Sequence, residues 1–183
     1  MTIQKLAILP AILALSACGG GGGGGTDFAT RGVQAANLLA DYGNAPLTQT
    51  ANMPTGTFNY TGVAGFTDGT QSADFIAQNA GTAADVNLQA NFDESTIAGS
   101  FTNFITENNV RGTGQIDLRN GTITGNTFNA NATGKVNYNG TDLVAQGVVN
   151  GGFVGNSADA MFGRVDGTLG GDTVSGLIGA ERQ

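Results

Sequence analysis

Val86-Asn87-Leu88-Gln89-Ala90-Asn91-Phe92 places an apolar side chain on every second position and a polar one between. In an extended chain successive side chains point to opposite faces, so this alternation predicts a strand with one buried and one wetted side. The polar Asp93-Glu94-Ser95 turns the chain, and Thr96–Thr106 resumes the period with Ile97, Gly99, Phe101 and Ile105 expected on one side. The two segments read as a hairpin.

The same period recurs on both sides of that hairpin. Upstream lies Phe58-Asn59-Tyr60-Thr61; downstream come Gln115–Arg119, Gly121–Ala132, Lys135–Tyr138, Asp142–Asn150, the pair Phe153 and Val154, Ala160–Leu169 and Asp172–Ala180. Asn120-Gly121 and Asn139-Gly140 tolerate positive φ at both central residues of a type I′ turn, so each predicts a tight connection between antiparallel neighbours. After the N-terminal leader only Ala29–Tyr42 has helical spacing, with Val33, Ala36, Leu39 and Ala40 near one face.

Many short strands without intervening helices predict an all-β fold. About eight of them in succession suit a single antiparallel up-and-down β-barrel, which leaves no unpaired edge. Gly62, Gly99, Gly147 and Gly176 fall within or beside the strand runs, where a missing side chain lets a strand bend enough to close a small ring. Such a ring is either filled by side chains or holds one small ligand, and the sequence does not choose between them.

The N-terminus carries a separate signal. Lys5 precedes the apolar run Leu6–Leu15, which has signal-peptide length and is too short to span a bilayer. It leads into Leu15-Ser16-Ala17-Cys18, a match to the lipobox of bacterial lipoproteins: a branched residue, two small residues and an acceptor thiol. Cys18 is the only cysteine, so an intramolecular disulfide cannot use it. Residues 1–17 are therefore expected to be a lipoprotein signal peptide, with Cys18 the lipidated first residue of the mature chain and its palmitate-like acyl groups the membrane anchor. Gly19–Gly25 is expected to be a tether, residues 26–52 an N-terminal arm, and residues 53–183 the barrel. Glycine rather than aspartate after the lipidated cysteine points to the outer membrane.

The chemistry available is narrow. Histidine is absent, which removes the commonest general base, and the sole cysteine is assigned to lipid, which removes the thiol nucleophile and the usual zinc ligands. Asp93 and Glu94 are adjacent carboxylates, but neighbours on a strand point apart and this pair is expected in a turn. Gly170-Gly171-Asp172-Thr173-Val174 resembles half of a calcium-binding nonapeptide repeat; as a single copy it reads as a hairpin turn. Tyr42, Tyr60 and Tyr138 could hold iron only by converging. Phe101, Phe104, Phe153 and Phe162 are expected in the core. No catalytic residue, metal ligand or cofactor is assigned beyond the covalent lipid on Cys18. With 14 acidic and 7 basic residues the net charge is −7, which repels nucleic acid.

Several segments together resemble the transferrin-binding protein B-like surface lipoproteins, the barrel family that includes factor H-binding protein. Met53–Ala64 is similar to the opening strand. Asn91-Phe92-Asp93 followed by Thr96-Ile97-Ala98-Gly99 is similar to the phenylalanine-aspartate strand end and its glycine-containing continuation, and Ile123–Phe128 to the next such strand. Gly151-Gly152-Phe153-Val154-Gly155-Asn156-Ser157-Ala158 resembles the most specific motif of the family, carried by Gly152, Phe153, Gly155 and Ala158. Val154 stands where an aromatic is commoner, and Asp159-Ala160-Met161-Phe162-Gly163 departs from the usual continuation. Gly176–Arg182 is similar to the closing strand.

The resemblance implies a surface-displayed, outer-membrane lipoprotein that binds a protein or iron-carrier ligand without enzymatic activity. The alternative is a structural or assembly lipoprotein facing the periplasm. A membrane-spanning barrel fits less well, because there is no tryptophan and only three tyrosines from which to build aromatic girdles.

Overall fold

The structure, a computed structural model, describes residues 27–183. Eight strands form one closed antiparallel barrel in chain order: β1 (Thr57–Asp68), β2 (Thr82–Asn91), β3 (Thr96–Thr106), β4 (Thr113–Thr124), β5 (Thr127–Tyr138), β6 (Thr141–Val154), β7 (Ala160–Leu169) and β8 (Asp172–Arg182). β1 pairs with β8 from Tyr60↔Arg182 to Asp68↔Val174, which closes the ring. Helix α1 (Phe28–Tyr42) precedes the barrel and α2 (Ala73–Asn79) lies between β1 and β2. The signal peptide, lipobox residues Leu15, Ser16 and Ala17, the lipidated Cys18 and the glycine tether lie outside the described residues.

Alternation decides what fills the ring. β2, which holds the alternating run from Val86, turns Val86, Leu88 and Ala90 inward, where each is at most 3% exposed. Tyr60, Phe101, Leu118, Phe128, Val149, Phe153, Met161 and Ile178 join them in one continuous core. The outward positions of β4 and β5 are Thr113, Gln115, Asp117 and Arg119, then Thr127, Asn129, Asn131, Thr133 and Lys135, all exposed or partly so. This apolar-in, polar-out arrangement is the reverse of a membrane-spanning barrel, whose outer wall must carry a lipid-facing apolar band.

Two bulges revise the sequence reading. Asn120-Gly121 is not a turn: Asn120 does take a positive φ of 52°, but inside β4, where the register with β5 shifts between Arg119 and Thr122. The connection between β4 and β5 is instead made at Gly125-Asn126, so the run read as Gly121–Ala132 is the end of one strand and the start of the next. In β3, Asn103 also has positive φ, 54°, and the extra residue exchanges the faces beyond it. Phe104 therefore joins the core, while Ile105 pairs with outward-facing Ala83. Asn139-Gly140 does form the β5–β6 turn, with φ of 51° and 85°. Two further differences are simpler: Phe153 and Val154 continue β6 without interruption, and α2, capped by the Ser72 hydroxyl accepting from the Phe75 N–H, has no counterpart in the sequence reading.

Helix α1 forms over the span the spacing predicts but turns a different face inward: Arg31 and Leu38 are buried, whereas Val33 and Ala40, expected on the apolar face, are exposed. Asp27 caps its start by accepting from the Thr30 N–H, satisfying a donor that the first helical turn leaves without a partner. The helix packs on the outer wall against β1, β2 and β8, with Leu38 the buried apolar contact. Gly179 lies beneath this contact, where a Cβ would crowd the Phe162 ring at 3.0 Å and meet Leu38 at an ordinary 3.6 Å. Nearer its start the helix buries Arg31, 2% exposed, whose Nε donates to Asp85 Oδ1 at 2.8 Å. Asn103 Nδ2, displaced outward at the β3 bulge, donates to the other oxygen of the same carboxylate at 2.7 Å.

Removing one partner of a buried charge pair destabilises because the remaining charge loses its compensation. Asp85→Ala is expected to lower unfolding stability by about 2–3 kcal/mol. Pairing it with Arg31→Met should recover part of the loss, as a double-mutant cycle in denaturant would read.

Candidate functional site

The two ends of the barrel differ in how their interiors are filled. At the end where β1 begins and β8 finishes, five aromatic rings close the bore. Phe153 is central: its ring centroid lies 5.8 Å from Tyr60, 5.0 Å from Phe92 and 5.5 Å from Phe128, and Phe58 lies 6.1 Å from Phe92. These tilted and edge-on contacts suit aromatic quadrupoles and leave no passage.

The four motif residues sit at this closed end. Phe153 is the hub of the plug. Gly152 leaves room for the N-terminal arm, because a Cβ there would come 2.6 Å from Leu47, which bridges to Val154. Gly155 and Ala158 bracket the β6–β7 turn with φ of 90° and 55°. Thr48 of the arm holds this turn from one side: its hydroxyl donates to the Gly155 carbonyl at 2.9 Å and accepts from the Ala158 N–H at 3.2 Å. Tyr60 holds it from the other, its hydroxyl donating to the Ala158 carbonyl at 2.7 Å. The motif is thus built into the plug and its clamp. Thr48, which the sequence reading passed over, carries no signal by itself because its role depends on a turn more than a hundred residues away.

The opposite end is hollow. A cavity of about 570 Å³ opens there, lined mainly by inward-facing residues of the strands. Phe66, Phe101 and Phe104 form one wall, with Phe66 5.9 Å from Phe101 and 6.4 Å from Phe104 between centroids. Facing them are Ala132, Ala145, Gly147 and Gly167. At the closed end rings meet rings across the bore, whereas here the rings face small residues, which leaves the space between them open. Asp68 and Glu107 stand among the lining residues, and Arg and Lys do not.

Tyr138 also lines the cavity. Its hydroxyl oxygen is shielded from solvent and makes no hydrogen bond of acceptable geometry, although Thr82 lies close enough to ease its ionisation slightly. Burial dominates and raises its pKa above the ordinary tyrosine value. Burial also raises that of Tyr60 strongly. The two are at opposite ends of the barrel and Tyr42 is on α1, so the three tyrosines do not converge on iron.

The other candidate groups fall into structural roles. Asp93 lies in the β2–β3 turn and accepts from the Gly56 N–H. Gly170-Gly171 forms the β7–β8 turn, with φ of 64° and 99°. Phe101, Phe104 and Phe153 are buried, and Phe162 is half-buried against the wall that α1 covers. Among the described residues no three or more aspartates, glutamates, histidines or cysteines come together as metal ligands.

Comparison with known proteins places this geometry. The family described as the C-lobe and N-lobe β-barrels of Tf-binding protein B matches residues 53–182. Among solved structures, the chain is similar to transferrin binding protein B of Haemophilus parasuis at 20% identity and a TM-score of 0.47, covering 75% of this chain and 28% of that one. It is similar to the isotype 1 protein of serogroup B Neisseria meningitidis at 20% identity and a TM-score of 0.46, covering 75% and 27%. For the N-lobe of lactoferrin binding protein B of Moraxella bovis the values are 17% and 0.37, covering 72% and 61%. The chain therefore spans under a third of the length of the first two. No curated protein matches it.

The two buried hydroxyls lead to opposite expectations. Tyr60→Phe leaves the buried Ala158 carbonyl without its donor and should destabilise by about 1–3 kcal/mol, whereas Tyr138→Phe removes a hydroxyl with no strong partner and should change stability by less than about 0.5 kcal/mol. Because burial raises both pKa values, the unfolded chain ionises first. The stability these phenols contribute is full below about pH 10 and falls as pH rises through that value. Denaturant melts of the wild type and the two variants across that range would show a shallower decline in each variant.

Proposed function

Since the chain belongs to the family of transferrin-binding protein B lobe barrels, we propose that it is a non-enzymatic binding lipoprotein, anchored by lipid on Cys18 to the outer membrane and displayed at the cell surface. The ligand we infer is a protein, and iron carriers are the first class to test. The family match across residues 53–182 carries this reading. It is supported by the lipobox before Gly19–Gly25, by the absence of histidine from the chain, and by an outer wall whose polar side chains suit a water-exposed domain.

The turns joining the strands are the surfaces available to a protein ligand in this reading, because the strands' own backbone groups are paired around the ring. The β3–β4 connection, with Glu107, Asn108, Asn109 and Val110 exposed, and the α2 segment, with exposed Phe75, are the longest of them at the open end. Loops on a rigid scaffold vary without disturbing the core beneath them.

Display and binding have separate readouts. Added protease should remove the barrel from intact cells, and Cys18→Ser should abolish palmitate labelling and release the protein from the outer membrane. The protein should capture a host iron carrier, and Glu107→Lys with Phe75→Ser should weaken that capture. Full protection from protease on intact cells, with recovery of an envelope protein as the bound partner, would move the assignment to a structural lipoprotein facing the periplasm.

A further inference from the structure

We propose that the hollow end of the barrel is a binding site for a single acyl chain whose head is an uncharged ester or amide. The cavity has the size of a small-ligand site, about 570 Å³, within the range such pockets occupy. It is also narrow, because an eight-stranded ring is only wide enough for one small ligand. That width favours a single chain over a broad ring system.

The lining chemistry selects further. Phe66, Phe101, Phe104, Ile116, Val165 and Leu169 supply apolar walls, so the occupant is apolar over most of its length. Haem and free fatty acids would both bring carboxylates to the mouth. There they would meet Asp68 and Glu107, with no lysine or arginine among the lining residues to offset them. A carboxylate head is therefore repelled, whereas an ester or amide carbonyl is not.

The chain itself offers one source of such a ligand. Helix α1 begins at the open end: the Phe28 N–H donates to Asn109 Oδ1 at 3.3 Å, and Asn109 belongs to the loop whose Glu107, Asn108 and Val110 line the cavity. Residues 18–27 can span at most roughly 35 Å at ~3.5 Å per residue, so an acyl group on Cys18 is within reach of the mouth. A neutral lipid from the bilayer is the other source. The binding site does not depend on the lipidation proposed above; only the first of these sources does.

The test uses the chain from residue 18 onward with Cys18→Ser, which retains every described residue and carries no lipid. Native mass spectrometry should show one 1-monopalmitoylglycerol bound per chain, and palmitate binding weaker by at least about tenfold. Ala145→Phe, which fills the cavity, should reduce monopalmitoylglycerol binding by at least about tenfold with the circular dichroism spectrum unchanged. Should that variant not fold, Asp68→Lys at the exposed mouth serves instead: it should strengthen palmitate binding and leave monopalmitoylglycerol binding as it was. Absence of binding by the neutral lipid, equal binding of palmitate, or unchanged binding by a folded Ala145→Phe variant would overturn the proposal. Full-length lipidated protein in nanodiscs identifies the source: refusal of added monopalmitoylglycerol assigns the site to the chain on Cys18, and uptake assigns it to a lipid from outside the molecule. None of these readouts depends on capture of a protein ligand, so this proposal and the assigned function can fail separately.

Discussion

The pairing of β1 with β8, from Tyr60↔Arg182 to Asp68↔Val174, is the constraint on which the rest of the molecule depends. The other seven neighbours are consecutive in sequence and joined locally, most by short turns, whereas this pair brings together strands from the two ends of the barrel sequence. Once it forms, every strand has two neighbours and no edge is left to recruit another chain. Closure also divides the surface into an inside and an outside, so alternation along each strand becomes a partition between apolar core and polar wall. Arg182 reinforces the seam: its Nη1 donates to the Ser157 carbonyl at 2.6 Å and its guanidinium carbon stands 4.9 Å above the Phe58 ring.

A closed ring of fixed strand number has nearly constant width, so its filling is set by side-chain volume. At one end Phe58, Tyr60, Phe92, Phe128 and Phe153 pack into a plug; toward the other, β5, β6 and β7 turn Ala132, Ala145, Gly147 and Gly167 inward and a cavity results. The same ring is thereby solid where the family motif lies and hollow where α1 begins. These are separate devices. The plug and its clamp through Thr48 and Ala158 stabilise the fold, while the cavity is spare volume held open by strands that the plug and the hydrogen-bonded ring keep in place.

Outside the ring, α1 covers the wall made by β1, β2 and β8. Its buried arginine gives this packing a directional element that apolar contact alone does not provide, since the Asp85 carboxylate accepts from Arg31 and Asn103 together. The bulge at Asn103 puts that amide within reach. It also turns Phe104 into the cavity wall, so one inserted residue in β3 shapes both the helix seat and the hollow end.

Strand character, the up-and-down order and the helix over Ala29–Tyr42 were legible in the sequence because each rests on a local period: alternation for a strand, helical spacing for α1, and paired positive φ for Asn139-Gly140. The motif Gly152, Phe153, Gly155 and Ala158 was visible as a pattern. Asn120-Gly121 misled because positive φ serves a bulge as readily as a turn, and only the register with β5 distinguishes them. By itself the sequence determined which residues alternate, and therefore which could share a face. Tertiary structure decided which face became the inside, that Thr48 clamps a distant turn, and that five aromatic rings meet across one end while glycine and alanine of β5, β6 and β7 face Phe66, Phe101 and Phe104 at the other. Those outcomes depend on registers between strands far apart in the chain, which no local period encodes.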